Sequence, residues 1–293
     1  MTIFLTLAWN LLVPSAVSAA SIALARRVGR SLPGGNRGRW GVSAGLALGY
    51  LAGHAGLLGM PGFPAVGAKE WVAWLALGAG AIGLIEATWT PPRWSTWAVR
   101  GLFVAGLLGI LLRSKVERGW TGAEAAGWLA GLWLAGMASW WNLEAQAERL
   151  TGPGWVVPVG LVAAGWGVVQ ALSGGASFGQ LDGVLAAALL GALAAVGLRP
   201  GPSLSKGGPA VVLTVLAGLG LAGYFYSEVP ASSSVLLALA PWTPWVDRIG
   251  FLRRRSYWTR ASVRFLAVIV TAGAAVFLAE VAASPRLEVI NAP

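Results

Sequence analysis

The chain has 293 residues, of which 56% are hydrophobic and only 11% carry a charge. A soluble domain has about 25% charged residues because its surface must face water, so this composition excludes a soluble protein of ordinary size. The net charge of +10 does not indicate nucleic acid, because the basic residues lie in short segments between long apolar runs, as in a polytopic membrane protein.

Ten apolar runs approach the roughly 20 residues that a membrane-spanning helix requires. The first run has no basic residues before it, which indicates a retained helix rather than a cleaved secretory signal. The sequence predicts an all-α, polytopic integral membrane helix bundle in which residues 1–293 form a single membrane domain. The runs cover residues 3–25, 40–59, 71–89, 96–113, 122–142, 155–173, 179–198, 209–227, 233–250 and 261–283.

The ninth run, 233–250, is interrupted by Pro241 and Pro244. Proline has no backbone N–H and disfavours a helix interior, so this run is equally compatible with a re-entrant or interfacial segment. The predicted number of transmembrane helices is therefore ten, or nine if this segment does not span.

The first and sixth runs each have a proline near the middle, in LLVPSAV and WVVPVGL. This match suggests a five-plus-five repeat, and the two halves would be inverted because five is odd, an architecture found in transporters. The length and ten-run layout also resemble those of drug/metabolite-type permeases with five-plus-five inverted repeats. The resemblance concerns layout alone and assigns no residue a role.

Basic residues predict the orientation of the chain in the cell membrane. Loops 26–39 and 251–260 each hold at least four arginines, and an even number of predicted helices separates them. Both loops are expected on the cytoplasmic side, in contact with anionic lipid. Loop 113–121 is an exception, because its three basic residues then fall outside.

Most of the 17 tryptophans lie near the ends of the apolar runs, where an indole ring settles at headgroup level. Arginine joins tryptophan in the segment PWTPWVDRIGFLRRRSYW, residues 241–258. We interpret this segment as one that lies at the membrane–water interface. Its predicted headgroup contacts are Trp242, Trp245, Arg253, Arg254, Arg255 and Trp258.

Small residues recur at four-residue steps in three runs, a spacing that lets helix backbones approach closely in a bilayer. We expect these faces to form tight helix crossings. They are Gly41, Gly45, Gly49 and Gly53; Gly183, Ala187, Gly191 and Ala195; and Gly127 and Gly131.

Ionisable residues at membrane depth are costly and therefore informative. Glu86 and Arg100 flank the turn between the third and fourth runs, and we predict that they pair across this hairpin. A second polar set falls in the outer part of several runs and is predicted to line an outward-facing cavity. It consists of Asn10, His54, Glu124, Asp182, Tyr224, Tyr226 and Glu228, together with Gln170.

The chain offers little material for catalysis. It has no cysteine and a single histidine, which excludes thiolate chemistry and a histidine-rich metal site, so we expect neither a metal nor a cofactor. A lipid-active enzyme would have to combine His54 with Ser177, which lies in the Gly-x-Ser-x-Gly stretch of GGASFG.

Three functions remain open. We favour a non-enzymatic structural or assembly subunit of a membrane complex, because the loops are short and polar groups at the midplane are sparse. The alternative is a permease-like carrier of a small solute, and the third is the lipid-active enzyme. A solvent-connected cavity between the halves, reaching past the midplane, would favour the carrier, whereas a flat glycine- or tryptophan-rich lateral face would favour the subunit.

Overall fold

The computed structural model describes residues 2–31, 40–89, 92–150, 152–196 and 207–290, with side chains for all of these except 2–8, 30, 31, 196, 253 and 285–290. Every regular element in these ranges is a helix. The elements are α1 (Thr2–Ser31), α2 (Gly41–Leu58), α3 (Ala68–Thr88), α4 (Arg93–Leu111), α5 (Arg113–Arg118), α6 (Gly122–Arg149), α7 (Pro153–Leu172), α8 (Ala176–Val196), α9 (Gly208–Tyr226), α10 (Ala231–Leu239), a 3₁₀ helix (Ala240–Arg248), α11 (Gly250–Arg253) and α12 (Tyr257–Ile290).

Eight of these helices are long and apolar enough to cross a membrane: α1, α2, α3, α4, α7, α8, α9 and α12. This composition identifies a multi-pass membrane protein. The 28-residue α6 is also long, about 42 Å at 1.5 Å per residue, but its last two turns are polar. The structure thus bears out the helical membrane bundle, while the count of ten spans and the inverted repeat stay predictions.

The ninth predicted run is not one continuous α-helix. Within 233–250 the chain forms the end of α10, the whole 3₁₀ helix and the start of α11. The nine residues of α10 rise only about 13 Å, so α10 alone is too short to cross. The two prolines account for the break in the α-helix, because neither can donate a hydrogen bond to the carbonyl four residues before it. Within the 3₁₀ helix, Pro244 also leaves the carbonyl of Pro241 without its i+3 donor.

The ends of the bundle differ in charge. One end collects the last turns of α1, α3, α6 and α8 and the first turns of α2, α4, α7, α9 and α12. We call it the basic end, because Arg26, Arg93, Arg149, Arg254 and Arg260 lie there. The other end carries Lys69 and the three basic residues of α5. Within the predicted cytoplasmic loop 26–39, residues 32–39 lie outside the described ranges, and so do Arg199 and Lys206.

The tightest seam joins α1, α2 and α8. A Cβ added to Gly49 of α2 would lie 2.9 Å from the carbonyl oxygen of Pro14 in α1, and one added to Gly191 of α8 would overlap the carbonyl of Ser15. The hydroxyl of Ser15 also donates a 2.7 Å hydrogen bond to the carbonyl of Ala187. Glycine is required here because the backbones themselves are in contact.

The other predicted small-residue positions differ in their surroundings. Gly41, Gly45 and Gly53 also pack against neighbouring side chains of α1 or α8. Added Cβ atoms at Gly127, Gly131 and Gly183 would meet nothing within 4 Å. The four-residue spacing therefore predicts the α2 seam well, but it does not by itself distinguish a packed face from an open one.

The remaining helices complete the bundle around α9. Helix α9 runs antiparallel to α3 and also contacts α4, α6 and α8, while α7 packs against α8 and α12. The largest fully buried side chains include Trp140, Trp155 and Tyr50, from three different helices. Helix α6 begins with a capping box, in which Thr121 and Glu124 satisfy each other's backbone N–H groups.

Two alanine substitutions on α8 test the seam. Gly191→Ala should destabilise the protein by about 1–3 kcal/mol, because the new methyl group has no room beside Ser15. Gly183→Ala, two turns away on the same helix, should melt at or slightly above the wild-type temperature, since alanine favours the helix and the space is open. Equal melting temperatures for the two variants in detergent would contradict the close packing of α1 and α8.

Candidate functional site

The predicted outward-facing set does not form one cavity. Glu124 is exposed and caps α6, and Tyr226 hydrogen-bonds to the carbonyl of Leu111 and to Ser114. Glu228 is exposed at the turn after α9, with a positive φ of 54°. Asn10 lies half-buried on α1, and Tyr224 packs against Trp128 and Phe225. Only His54, Asp182 and Gln170 of the set are fully buried.

Asp182 and Gln170 form a buried polar pair between α7, α8 and α9. The Gln170 amide donates 2.9 Å to the Asp182 carboxyl and 3.2 Å to the carbonyl of Leu219. One oxygen of each side chain has no hydrogen-bond partner among the described residues, and neither has the buried hydroxyl of Tyr50 on α2. Unpartnered polar groups buried in a membrane bundle are energetically costly, so these three residues are candidate functional residues.

His54 lies under a small pocket of about 240 Å³ at the end opposite the basic end. Lys69, Glu70 and Phe178 also line it, and the Lys69 ammonium lies 4.9 Å from the Phe178 ring centroid. Neither ring nitrogen of His54 has a hydrogen-bond partner in the described part of the chain, so His54 and Ser177 do not form a nucleophile–base pair.

Arg100 binds two carboxylates from two other helices. Its guanidinium donates to both oxygens of Glu86, each at 2.8 Å, and to both oxygens of Glu144, at 2.5 and 2.8 Å. Arg100 is 4% exposed, and it lies against the rings of Trp97 and Trp140. The predicted Glu86–Arg100 hairpin contact is thus part of a three-helix ion cluster that joins α3, α4 and α6.

The 3₁₀ helix is attached to the last turns of α6 by polar side chains. Asn142 and Gln146 both donate to the carbonyl of Pro241, at 3.0 and 2.5 Å. The indole N–H of Trp245 donates back to the Asn142 side chain at 2.5 Å. These bonds occupy the carbonyl that Pro244 leaves without a backbone donor. We call this contact between α6 and the 3₁₀ helix the joint.

An ion pair completes the joint. Arg149 contacts the carboxylate of Asp247 at 2.5 Å and donates to the carbonyl of Pro244 at 3.2 Å. On the other side of Asp247, the buried Arg264 of α12 lies 3.7 Å away. The 3₁₀ helix is therefore held between α6 and α12, so that the predicted interfacial segment is partly built into the bundle.

The predicted headgroup residues divide accordingly. Trp242 and Trp245 are half-buried at the joint, whereas Arg254, Arg255 and Trp258 are exposed. Trp258 is 77% exposed, as expected of a lipid-facing indole. The side chain of Arg253 lies outside the described residues.

A long apolar crevice lies between α4, α6, α7, α9 and α10. Its volume is about 310 Å³, and its wall consists almost wholly of apolar and aromatic side chains, among them Phe103, Trp128, Trp140, Trp166 and Phe225. On α6 it extends from Trp128 to Leu143, about 22 Å of helix and most of the hydrocarbon thickness. The crevice is thus walled by helices from both sequence halves.

The crevice opens sideways between α6 and α10. Trp128 of α6 and Val235 of α10 stand at this opening, 41% and 57% exposed. Toward the basic end the crevice reaches the joint, where Pro241 and Leu143 line its last part. One polar atom of the wall is unsatisfied: the buried hydroxyl oxygen of Ser234 has no hydrogen-bond partner among the described residues.

Comparison of the chain with known protein families, with curated proteins and with solved structures finds no match. Function must therefore be inferred from the arrangement of the chain's own residues.

Sequence reasoning missed Glu144, the joint and the crevice. The missed polar residues share one signal, since Asn142, Glu144 and Gln146 form a polar cluster directly after the apolar part of α6. Such a cluster at membrane depth predicts partners on another helix, although it does not say which helix. The crevice has no signal in the sequence, because its lining residues resemble ordinary core residues.

The ion cluster gives a stability prediction. Arg100→Gln should cost about 3–5 kcal/mol, because two partly buried carboxylates would lose the guanidinium that pairs with both of them. Arg113→Gln breaks an exposed pair with Glu117 instead and should melt like the wild type. Replacing all three cluster members by neutral residues, as Glu86→Gln, Arg100→Met and Glu144→Gln, should recover part of the loss. Wild-type melting of Arg100→Gln in detergent would show that the cluster contributes no stability.

Proposed function

We propose that this membrane protein is a non-enzymatic, permease-like carrier for a slender apolar or amphipathic solute, such as a molecule with an acyl or isoprenoid chain. The observation that supports this proposal is the apolar crevice. It is walled by helices of both halves, and its volume of about 310 Å³ lies at the lower end of the range for small-molecule sites.

The size of the crevice favours a chain over a helix. The crevice has about 310 Å³ of space spread along about 22 Å of helix, which is narrow compared with the roughly 10 Å width of a helix and its side chains. A hydrocarbon chain is only a few ångströms wide and can follow a long narrow slot. A partner's transmembrane helix can cover the opening but cannot fill it.

The wall chemistry defines the solute class. The lining is apolar, so the crevice does not suit a sugar, an amino acid or an ion, whose polar groups would lose hydrogen bonds to water. The unpartnered Ser234 hydroxyl offers one hydrogen bond to a single polar group. The sideways opening suggests entry from the bilayer, not from water, so the crevice differs from the solvent-connected cavity that the sequence led us to expect of a carrier.

A second candidate, the structural or assembly subunit, rests on a different observation. The seam of α1, α2 and α8 is packed backbone to backbone, which favours a static scaffold over a moving gate. Helix α12 presents a continuous exposed apolar stripe to its surroundings, which a partner subunit can cover as readily as lipid. Its members are Leu266, Ile269, Val270, Phe277 and Val281.

A pair of substitutions on α6 tests the carrier proposal. Both Ala135 and Ala138 are exposed on α6, but Ala135 lines the crevice and Ala138 does not. Ala135→Phe fills the slot and should reduce labelling by a photoactivatable fatty acid about fivefold or more, while Ala138→Phe should label like the wild type. The measurement is mass-spectrometric mapping of labelled peptides in detergent micelles.

The same experiment separates the two candidates. Labelling concentrated on crevice residues and lost in Ala135→Phe supports the carrier. Labelling spread equally over the α12 stripe, unaffected by Ala135→Phe, would contradict it. Migration of the gently solubilised chain in a fixed complex with another protein would then favour the subunit.

A further inference from the structure

A second concave surface lies on the other side of the joint, on a different face of α6 from the crevice. It has a volume of about 720 Å³ and is open to the surroundings. We call it the basic groove. Its lining residues are Trp141, Ala145, Glu148 and Arg149 of α6 and Trp242, Trp245 and Arg248 of the 3₁₀ helix.

Two arginines share one indole ring in the basic groove. The guanidinium carbons of Arg149 and Arg248 lie 4.6 and 4.2 Å from the ring centroid of Trp245. The two carbons are therefore less than about 9 Å apart, the sum of those distances. Guanidinium groups that lie closer together than this limit can donate to different oxygens of one phosphate.

The two arginines differ in how they are held. Arg149 is fixed by Asp247 and the Pro244 carbonyl, yet its buried Nε has no partner among the described residues. Arg248 is exposed, and no carboxylate pairs with it in the described part of the chain. One arginine is thus preorganised and the other is available, an arrangement that suits an incoming anion.

The floor of the basic groove is aromatic. Trp141 stacks on Trp245 with ring centroids 6.3 Å apart and planes 10° apart, and it lies 6.4 Å from Trp242. Three indoles at the end of a membrane bundle place the groove at the level where tryptophan meets lipid headgroups. An apolar floor suits the glycerol or upper chain of a lipid, whereas free phosphate has no apolar part to place against it.

We propose that the basic groove binds a phosphate group, specifically the phosphodiester of an anionic phospholipid headgroup. Arg149 and Arg248 contact the phosphate, and the indoles of Trp141, Trp242 and Trp245 contact the apolar part below it. Glu148, on the groove wall, opposes the anion and limits its affinity. This inference does not depend on the carrier proposal, since crevice and groove share no lining residue.

Lipid titration of the purified full-length protein tests the assignment. Delipidated protein in a non-ionic detergent is titrated with phosphatidylglycerol or phosphatidylcholine, and bound lipid is counted by native mass spectrometry. The wild type should bind one phosphatidylglycerol more tightly than any further copy. Zwitterionic phosphatidylcholine should bind more weakly, because its choline cation is repelled by the arginines.

Three variants locate the site. Arg248→Gln should weaken the first phosphatidylglycerol about tenfold, the loss expected for a charge-assisted contact. Arg255→Gln, which removes an exposed arginine outside the groove, should leave that affinity within about twofold. Glu148→Gln should tighten binding about two- to fivefold by removing the opposing charge. Melting temperatures of all three should match the wild type, since the replaced side chains are exposed.

The possible outcomes distinguish a lipid headgroup from free phosphate as the ligand, and one of them would overturn the proposal. Inorganic phosphate that displaces the lipid only at far higher concentration supports a lipid headgroup site. Inorganic phosphate that binds as tightly as the lipid, and is lost in Arg248→Gln, supports the phosphate chemistry but makes free phosphate the ligand. Equal weakening by Arg248→Gln and Arg255→Gln, with no gain in Glu148→Gln, would reduce the groove to general surface charge and overturn the proposal.

Discussion

The structure depends on one constraint: a polar group removed from water must find a partner inside the protein. Helices provide these partners for the backbone, but Pro241 and Pro244 interrupt the backbone hydrogen bonds inside the bundle. The carbonyl of Pro241 is accommodated only because Asn142 and Gln146 donate to it. The polar last turns of α6 therefore supply the donors that the neighbouring backbone lacks. Their contact with the 3₁₀ helix also positions residues of both the crevice and the basic groove.

The sequence allowed the helices to be predicted because length and hydropathy are local properties, and nine of the ten predicted runs are α-helical in the structure. Partners between distant segments were not predictable in the same way. Glu86 and Arg100 are 14 residues apart and flank one turn, so their contact follows from the hairpin. Glu144 approaches the same guanidinium only because α6 packs on α4, which no spacing in the chain encodes.

Polar residues near helix ends illustrate the same limit. Glu124 and Asp182 are equivalent candidates for a cavity by sequence, yet Glu124 is exposed and caps a helix, whereas Asp182 is fully buried. The difference arises from the depth of each side chain in the bundle and from the direction in which it points, and both depend on the neighbouring helices. A helix-capping threonine three residues before Glu124 was the local signal that distinguished them. No such signal accompanies Asp182.

The joint gives the two concave surfaces a common mechanical element. Its Pro241 lines the last part of the crevice, and its Trp245 and Arg149 line the basic groove. Under the carrier proposal, a solute that enters between α6 and α10 would meet the joint at Pro241, and passage to the basic end would require those hydrogen bonds to open. A ligand that contacts Arg149 and the 3₁₀ helix together favours the closed joint, because it binds most tightly when both are held in place. A lipid bound at the basic end would thus stabilise the hydrogen bonds between α6 and the 3₁₀ helix and, through them, oppose the opening of the joint that the carrier proposal requires.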